Sequence, residues 1–326
     1  MSVVDVAVIG AGWSGLTAAS RLAARGLSVC VLEKSRGPGG RSATRREDGL
    51  AFDHGAQYFT ARSDAFRRRV SVWEQAGLVA EWQPRLRVLG PRPNDLDDPP
   101  QRRLVAVPGM NGLIRRLADG LDCRYSCRLT SARFERQWQL ETEVGKSLTA
   151  RALLLTAPPA QSAELLGEGH ALYPTLSTVP MQPCWAVMLG WDETLPVEFD
   201  AAFVNQGALT WLARNNSKPG RSGGESWVLH ASDSWSEANL EEEPGRVIDS
   251  LYEALISIDA GFGKTPRIRT AHRWRYAMAR RAMQKGCLVD GESRVVVAGD
   301  WCSGSRIEGA WTSGVAADRM LASLLL

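Results

Sequence analysis

The sequence predicts an α/β protein in which one domain has a parallel sheet and a second, α+β domain has a mixed or antiparallel sheet. Residues 3–33 have the pattern of strand, glycine turn, helix and strand, and residues 294–324 again give strand, glycine-rich turn and helix. From residue 165 onward, short apolar runs of strand length follow one another instead. We expect the first, Rossmann-like domain to be discontinuous, with segments 1–62, 102–164 and 286–326, and the second to comprise 63–101 and 165–285.

The composition is that of a globular protein. Hydrophobic residues make up 44% and charged residues 23% of the 326 residues, and a net charge of +3 does not indicate nucleic-acid binding. The chain has no uninterrupted apolar stretch of about 18 residues and no signal-peptide pattern, so we expect a cytoplasmic protein without membrane segments. The six cysteines are scattered without zinc-site spacing, which predicts reduced thiols and no metal.

The glycine turn near the N-terminus predicts a dinucleotide site. The apolar run 6–9 is followed by G-x-G-x-x-G, an amphipathic helix and a second apolar run, Val29–Leu32. The first glycine permits the turn, the second lets the backbone approach a pyrophosphate, and the third lets the helix pack closely on the sheet. The helix N-terminus offers free N–H groups to phosphates, and an acidic residue after the second strand is placed to bind ribose hydroxyls. The predicted contacts are Gly10, Ala11, Gly12, Trp13, Ser14, Gly15 and Glu33.

Two further segments distinguish between dinucleotides. The glycine-rich loop KSRGPGGR covers residues 34–41, and DHGAQYFT covers residues 53–60. With the first glycine turn, these segments resemble the FAD-binding half of the flavin amine oxidase superfamily. The resemblance implies FAD rather than NAD, a contact of Arg41 with the pyrophosphate, and passage of residues 53–60 beside the isoalloxazine ring. It adds as cofactor-binding residues Lys34, Gly40, Arg41, His54, Gly55, Ala56 and Gln57.

Periodicity predicts the remaining elements. Helices are expected over 64–76, 113–121 and 246–258, and the Pro- and Asp-rich stretch 90–103 is expected to be a loop. Strands are expected over 103–107, 127–134, 138–143, 152–156, 184–191, 201–204, 209–214, 227–230 and 268–276, with 127–134 and 138–143 forming a hairpin.

The C-terminal segment resembles the second FAD fingerprint of the same superfamily. A strand is predicted over 294–298, followed by GDWCSGSRIEGAWTSG and a helix over about 309–324. The resemblance implies a fold of the amine oxidase and p-hydroxybenzoate hydroxylase type, with Asp300 at the ribityl or phosphate end and the helix N-terminus at the flavin pyrimidine edge. No cysteine has the family's attachment context, which predicts non-covalent FAD. The implied contacts are Leu129, Thr156, Asp300, Ile307, Glu308, Gly309 and Ala310.

Within the superfamily, the chain resembles the bacterial renalases. The similarity includes TWLARNNSKPGR at 210–221, WVLHASDSWS at 227–236 and AHRWRYA at 271–277, all in the predicted second domain. It implies oxidation of 2- or 6-dihydro isomers of NAD(P)H to NAD(P)+, with hydride transfer to flavin and reduction of O2 to H2O2. The implied partners are a small-molecule dinucleotide substrate and O2, and we expect a monomer or weak dimer.

The second domain offers aromatic and guanidinium groups rather than an acid/base constellation. A dihydropyridine loses hydride without losing a separate proton, so its site needs shape and a donor carbon roughly 3–3.5 Å from flavin N5. Trp185, Trp191 and Trp227 alternate along strand patterns and are predicted core residues. Tyr58 packs either by the flavin or in the core, and His54 is expected to be a hydrogen-bonded loop histidine rather than a base. The candidate substrate residues are Tyr58, Trp211, Arg214, Asn215, His272, Arg273, Trp274, Tyr276, Arg306 and Trp311.

Three other functions remain open. A mono- or polyamine oxidase shares both fingerprints, but Arg306 stands where those enzymes place an aromatic residue of the amine cage. The family's flavin-proximal lysine also has no clear counterpart, since Lys146, Lys218, Lys264 and Lys285 lie in turn-like or polar contexts. A carotenoid or porphyrinogen desaturase would need an apolar tunnel, which the arginine-rich motifs disfavour. The third alternative is a flavoprotein that binds a dinucleotide or redox partner without turnover.

Overall fold

A computed structural model describes residues 3–91 and 101–326. The predicted loop 90–103 falls largely on residues 92–100, which lie outside the described residues. The chain forms two compact units. The first comprises Met1–Gly40, Ile114–Pro180 and Ala279–Leu326, and the second comprises Arg41–Leu113 and Met181–Met278.

The strands and helices are numbered in chain order. The strands are β1 (Val3–Ile9), β2 (Val29–Leu32), β3 (Thr44–Glu47), β4 (Leu50–Asp53), β5 (Val79–Glu81), β6 (Leu86–Leu89), β7 (Leu104–Ala106), β8 (Asp122–Arg124), β9 (Leu129–Phe134), β10 (Trp138–Thr142), β11 (Ser147–Leu155), β12 (Met181–Gly190), β13 (Ala201–Val204), β14 (Leu209–Arg214), β15 (Ser226–Ala231), β16 (Ile268–Ala279), β17 (Leu288–Asp290) and β18 (Val295–Val297). The helices are α1 (Trp13–Ala23), α2 (Asp64–Gln75), α3 (Met110–Ala118), α4 (Pro159–Leu166), α5 (Tyr173–Ser177), α6 (Asp233–Ala238), α7 (Pro244–Ile258) and α8 (Ile307–Leu325). Within the described residues, none of these helices is both long and apolar enough to cross a bilayer.

The first unit is built on the sheet order β17-β18-β11-β1-β2-β8. β1 pairs in parallel with β11 on one side and β2 on the other, so that Val6 lies beside both Ala152 and Val29. Residues 6–9 of β1, all of β2 and residues 152–155 of β11 are apolar and buried, as expected of a parallel sheet covered on both faces. β9 and β10 form the predicted antiparallel hairpin, which joins the sheet through β11. The predicted Rossmann-like architecture is confirmed.

Helices α1 and α8 of the first unit pack closely on each other. The contact requires glycine at position 314, because a Cβ there would lie 2.5 Å from the Ser14 carbonyl oxygen. Asp318 of α8 has a fully buried side chain and forms 2.8 Å ion pairs with Arg21 and Arg25 of α1. These contacts hold together the two helices that follow the two fingerprints.

The second unit is built on the sheet order β16-β12-β15-β14-β13-β6. β12, β15, β14 and β13 pair antiparallel in that order, while β13 and β6 are parallel, so the sheet is mixed as predicted. Leu251 and Leu255 of α7 are buried against one face of this sheet. The same core contains the three predicted tryptophans, Trp185, Trp191 and Trp227.

The other face of this sheet is covered by the β3–β4 hairpin. Leu50 and Phe52 of β4 form a buried cluster with Met188, Val228 and Ile268, which point away from the α7 core. The hairpin pairs Thr44 with Asp53 and Arg45 with Phe52. This hairpin was not predicted from the sequence. We call the face of the sheet that the hairpin covers the second face.

The predicted helix over 113–121 is corrected at both ends. α3 begins at Met110 rather than residue 113, because the Met110 N–H donates to Asp53 Oδ1 at 2.9 Å. It ends at Ala118, shortly before Gly120, whose φ of +79° favours glycine.

The compact units also differ from the predicted domain boundaries. Residues 41–62 and 102–113 lie in the second unit, because the β3–β4 hairpin packs against its sheet. Residues 165–180 and 279–285 lie in the first unit, where α5 packs against α4. The FAD-binding and substrate-binding roles assigned to the two domains stay predictions.

Candidate functional site

The glycine turn after β1 is tightly packed on one side and open on the other. Gly10 has a φ of +108°, and a Cβ there would lie 2.7 Å from Thr156 Oγ1. A Cβ on Gly15 would overlap the Gly10 carbonyl oxygen, so α1 approaches the turn only because this residue is glycine. A Cβ on Gly12 would meet no atom within 4 Å. The space beside Gly12 is open where a cofactor would approach, whereas the other two glycines are enclosed by protein.

Glu33 connects this turn to the glycine-rich loop. Its side chain is buried at the end of β2, and its two carboxylate oxygens accept the N–H groups of Ala11 and Ser35, each at 2.8 Å. The Gly39 N–H donates to the Ala11 carbonyl at 3.1 Å. The loop after β2 therefore lies against the first glycine turn, which supports the prediction that both contact one cofactor.

The C-terminal fingerprint folds into a second tight turn of the first unit. The Gly304 N–H donates to the Asp300 carbonyl at 2.7 Å, and a Cβ on Gly309 would overlap the Gly304 carbonyl oxygen. α8 begins directly after this turn, with Arg306 at the N-cap position. The Arg306 side chain is exposed, and no ion pair to it occurs in the two described ranges of the chain.

The two turns meet inside the first unit. Ser14 Oγ, in the first turn of α1, donates to the Ala310 carbonyl of α8 at 2.8 Å. Two helix N-termini and their free N–H groups therefore lie close together, which fits the phosphates of a single dinucleotide.

The other candidate residues of the first unit lie around these turns or support them. Thr156 Oγ1 donates to the Ile9 carbonyl at 2.8 Å and so holds the end of β1. Trp13, Leu129 and Ile307 are buried, Lys34 and Gly40 are exposed, and Glu308 and Trp311 are half-buried on the first turn of α8.

Three of the four histidines lie together in the second unit. The ring of His54, which follows β4, stacks on Trp274 with centroids 5.1 Å apart and meets His272 edge-on at 4.9 Å. The His54 carbonyl accepts the Trp274 Nε1–H at 3.0 Å and lies 3.1 Å from His230 Nε2. We call these four residues the histidine cluster, and it lies on the second face of the sheet.

The imidazoles of this cluster are neutral at pH 7. Burial lowers the pKa of His54 to about 4 and that of His230 to about 4, and it also lowers the pKa of His272. His54 Nδ1 is buried and has no hydrogen-bond partner among the described residues. The residues that the structure describes contain no group of three or more His, Cys, Asp or Glu side chains that could hold a metal ion. The cluster is thus a neutral aromatic surface whose imidazoles are weak bases.

Asp53, the residue before His54, forms a buried ion cluster with Lys218 and Arg221. Asp53 Oδ2 lies 2.6 Å from Arg221 Nη2 and 3.5 Å from Lys218 Nζ, and all three side chains are at most 1% exposed. Burial raises the pKa of Asp53, but the two cations outweigh it and the net pKa is lowered. Burial lowers the pKa of Lys218 to about 8, with Asp53 opposing the shift. Two cations face one carboxylate, so the cluster has an excess charge of +1 when Lys218 is protonated.

Tyr58 and Trp211 belong to a separate aromatic group of the second unit. The Tyr58 ring lies 5.5 Å from Trp211 and 6.3 Å from Trp82, and Phe203 packs on Trp211 at 4.7 Å. The Arg103 guanidinium lies 5.6 Å from the Tyr58 ring centroid. Of the two roles considered for Tyr58, its aromatic packing supports the core.

Two family profiles match this chain. A profile of NAD(P)-binding Rossmann-like domains matches residues 8–76, and a profile described as flavin-containing amine oxidoreductase matches residues 95–321, which is more than half of the chain. The chain belongs to the flavin-containing amine oxidoreductase family. It is therefore a flavin-dependent oxidoreductase with FAD as its cofactor, and the open space at Gly12 and the paired helix N-termini fit that cofactor.

Solved structures of similar fold include several oxidases. A putative protoporphyrinogen oxidase from Exiguobacterium sp. 255-15 has a TM-score of 0.76 at 16% identity, covering 99% of both chains. Cyclohexylamine oxidase from Brevibacterium oxydans IH-35A has a TM-score of 0.76 at 14% identity, covering 98% of this chain and 99% of that one. A redesigned putrescine oxidase has a TM-score of 0.73 at 13% identity with the same coverage. At these identities the likeness shows the fold alone.

Curated relatives match over a short stretch. The 4,4'-diapophytoene desaturase of Staphylococcus haemolyticus is 50% identical over 52 residues, which is 16% of this chain and 10% of the desaturase. The enzyme of Staphylococcus aureus strain Newman is 48% identical over the same length. The alignment thus spans about a tenth of the length of these relatives and does not assign their reaction to this oxidoreductase.

The structure brings some predicted substrate residues of this oxidoreductase together and separates others. His272 and Trp274 lie in the histidine cluster, whereas Arg273 between them points to the α7 side, where it stacks 5.6 Å from the Trp185 ring. Arg214 also points to that side: its guanidinium lies 5.2 Å from the Trp227 ring and Nη2 donates to the Val197 carbonyl. The prediction of Arg214 and Arg273 as substrate residues is therefore corrected. Strand alternation on β16 directs Arg273 away from the second face, and a register shift in β14 does the same for Arg214.

The remaining candidates of the second unit have structural contacts. Asn215 Oδ1 accepts the Asp53 N–H at 3.1 Å and its Nδ2 donates to the Ala51 carbonyl at 2.7 Å. Arg41 Nη1 donates to the Ala277 carbonyl at 2.9 Å. A Cβ on Gly55 would overlap the Arg41 carbonyl oxygen, which also accepts the Ala56 N–H. Gln57 is buried, and Tyr276 is half-buried on β16. The FAD contacts predicted for Arg41, His54, Gly55, Ala56 and Gln57 remain predictions.

Sequence reasoning missed three functional candidates, Lys218, Arg221 and His230. The sequence context of Lys218 was interpreted as turn-like, but the fold buries its side chain completely. A usable signal was present, since only five lysines occur in the chain and this one lies in the NNSKPGR stretch. The position of His230 depends on strand order, which the sequence does not display.

Proposed function

We propose that this oxidoreductase oxidises 2- or 6-dihydro isomers of NAD(P)H to NAD(P)+. FAD supplies the hydride acceptor, and O2 is the terminal oxidant that becomes H2O2. The observation behind the proposal is the histidine cluster, a neutral aromatic surface in the second unit formed by His54, His230, His272 and Trp274.

The chemistry of a dihydropyridine suits such a surface. The ring becomes aromatic when it loses hydride, and no separate proton has to be removed. The site therefore has to orient a flat ring rather than supply a strong base. The His54 ring stacks on Trp274, and His272 meets both rings edge-on. These rings offer aromatic contacts to the substrate ring, and the low pKa of about 4 for His54 and His230 keeps both imidazoles uncharged at pH 7. Neutral imidazoles also offer donors and acceptors to a carboxamide group.

The alternative, amine oxidation, fits the charges less well. Most amines are cations at pH 7 and must approach a flavin enzyme's site against any positive charge there. The ion cluster of Asp53, Lys218 and Arg221 has an excess charge of +1 inside the second unit, and Arg306 adds a cation at the start of α8. A positive charge in either unit would favour an anionic dinucleotide over a protonated amine.

Anaerobic rapid mixing tests the proposal against its alternatives. The FAD-loaded enzyme is mixed with 2-dihydro-NAD, 6-dihydro-NAD, ordinary NADH and a panel of mono- and diamines, and loss of oxidised-flavin absorbance is followed. We expect fast bleaching by at least one dihydro isomer and slow or no bleaching by amines. Fast bleaching by an amine with none by the isomers would establish amine oxidation. No bleaching by any compound would favour a flavoprotein that binds without turnover.

We further propose that the enzyme acts in the cytoplasm as a monomer or weak dimer, on a small-molecule dinucleotide and O2. Size-exclusion chromatography with light scattering tests the oligomeric state. A stable tetramer would contradict it.

A further inference from the structure

The side-chain ammonium group of Lys218 has three oxygen partners within the second unit. Its ammonium group lies 3.1 Å from Gln57 Oε1, 3.2 Å from Asn215 Oδ1 and 3.5 Å from Asp53 Oδ2. It also lies 5.4 Å from the centroid of the Trp82 ring. The three oxygen atoms match the three donors of an ammonium group, so its hydrogen bonds are used within the protein.

The three partners of Lys218 converge on one short backbone segment, residues 53–57. Asn215 Oδ1 accepts the backbone N–H of Asp53 at 3.1 Å. Gln57 Nε2 donates to the carbonyls of Asp53 and, at 3.1 Å, Gly55. His54 lies inside this segment, and its carbonyl oxygen anchors both Trp274 and His230. The lysine therefore supports the backbone from which the His54 imidazole projects.

Lys218 is not required to neutralise Asp53. Arg221 already pairs with that carboxylate through Nη2 at 2.6 Å and Nε at 3.2 Å. The carboxylate also accepts hydrogen bonds from Thr44 and from the Met110 N–H. Burying the second cation, Lys218, costs desolvation free energy, and the Asp53–Arg221 ion pair does not require it. The contribution of Lys218 must therefore be sought in what its hydrogen bonds position.

We propose that Lys218 is a positioning residue for the substrate surface of the second unit, where its ammonium group holds residues 53–57 so that the His54 imidazole lies against His272 and Trp274. The inference rests on the proposed function only in taking the histidine cluster as the surface that binds the dihydropyridine.

The protonation state of Lys218 then controls this surface. Its pKa of about 8 means that it is charged at pH 7 and loses its charge as the pH rises past 8. The charged and titratable groups that face it are Asp53, Arg221 and His230. A neutral amine has one donor fewer and binds its oxygen partners less strongly, so residues 53–57 should loosen. We expect KM for the dihydro-NAD isomer to rise above pH 8, while kcat changes less.

Lys218→Met, Lys218→Arg and the control Lys264→Met test the inference in the FAD-loaded enzyme. Lys264 is an exposed lysine of the same unit that pairs with Glu193. For Lys218→Met we expect KM at pH 7 to rise about tenfold, equivalent to about 1.4 kcal/mol, with FAD content retained and the pH dependence near 8 abolished. For Lys218→Arg we expect the dependence to move to higher pH. Lys264→Met should match the wild type.

A second measurement, an NMR pH titration of the wild-type protein, needs neither a substrate nor a variant. The four histidines give few imidazole signals in NMR spectra, and His54 and His230 themselves titrate near pH 4. In the wild type, we expect the His54 and His272 signals to shift together with a midpoint near pH 8. Unchanged signals between pH 7 and 9, or a Lys218→Met enzyme with wild-type KM and pH profile, would overturn the inference. If no dihydro isomer is oxidised, the NMR titration still tests the positioning role, and only the proposed function fails.

Discussion

The candidate site of the first unit is built from backbone groups, and that of the second unit is built from side chains. In the first unit the site consists of backbone: glycines without Cβ atoms, and free N–H groups at the starts of α1 and α8. In the second unit it consists of side chains, the histidine cluster and the buried ion cluster beside it. Backbone groups are suited to the pyrophosphate that every FAD contains, whereas side chains can discriminate between substrates. The comparison therefore predicts that substitutions in the first unit remove the cofactor, and that those in the second change substrate binding and pH dependence.

Gly15→Ala is expected to have the largest effect. Its Cβ would overlap the Gly10 carbonyl oxygen, an atom fixed by the turn, so α1 would have to move away from the sheet. We expect a loss of about 3 kcal/mol in the free energy of unfolding, at the upper end for overpacking, together with loss of bound FAD. Thermal unfolding of the apoprotein measures the first effect and flavin absorbance the second. An apoprotein as stable as the wild type would show that the turn yields easily.

Gly12→Ala, in the same turn, is the matched control for Gly15→Ala, and we expect it to weaken FAD binding without destabilising the apoprotein. Gly12 has extended backbone with φ of −92°, and a Cβ there would contact no protein atom within 4 Å. We expect apoprotein stability within about 0.5 kcal/mol of the wild type. The affinity for FAD should nevertheless fall at least tenfold, or about 1.4 kcal/mol, because the methyl group would occupy the space of the pyrophosphate. Fluorescence titration of apoprotein with FAD gives the affinity, and an unchanged dissociation constant would place the cofactor elsewhere.

This contrast also explains how much could be predicted from the sequence. The first unit's turn depends on residues within one strand–turn–helix segment, so the glycine spacing and the apolar runs were sufficient to predict it. The second unit's cluster joins residues separated by more than 170 positions, such as His54 and His230. They meet only because β15 and β16 flank β12 and the β3–β4 hairpin covers that face. Strand order of this kind has no signal in local periodicity.

The wrong predictions for Arg273 and Arg214 have a different cause. Arg273 lies between His272 and Trp274 on β16, so the two-residue period of a strand places its side chain on the opposite face. That error was avoidable from the sequence. Arg214 was harder to place, because the pairing of β14 with β15 shifts register between Leu209 and Trp211. The irregularity puts Trp211 on the second face and leaves Arg214 over the α7 core.

Arg306→Ala is expected to have an intermediate effect and to test whether the first unit also contributes to substrate binding. The exposed guanidinium has no ion-pair partner in the described ranges, so its removal should not affect folding or FAD content. We expect KM for the dihydro-NAD isomer to rise about tenfold, about 1.4 kcal/mol, with little change in kcat. Arg319→Ala, an exposed arginine further along α8, is the control. Identical steady-state kinetics in both variants would remove Arg306 from the substrate site and restrict substrate contacts to other residues.

The smallest expected effect is on stability in acid, and it comes from the second unit. His54 and His230 have a pKa of about 4 in the folded chain, against 6.5 for an unperturbed histidine. Between these values the unfolded chain binds more protons than the folded chain, so the free energy of unfolding falls as the pH drops from 6.5 to 4. Above 6.5 both states are neutral at these positions and the effect vanishes.

His54→Gln removes one of these protonation sites and should make the acid loss of stability less steep. We expect a difference of about 1 kcal/mol accumulated between pH 6.5 and 4, after allowance for relaxation of the buried site. Urea unfolding at several pH values measures it, with His170→Gln as the control in the first unit. His170 lies 3.4 Å from Asp290, which opposes the lowering of its pKa, so its removal should change the slope less. Equal slopes in the two variants would mean that the histidine cluster is hydrated, and that its imidazoles are not the neutral surface on which the proposed substrate binding depends.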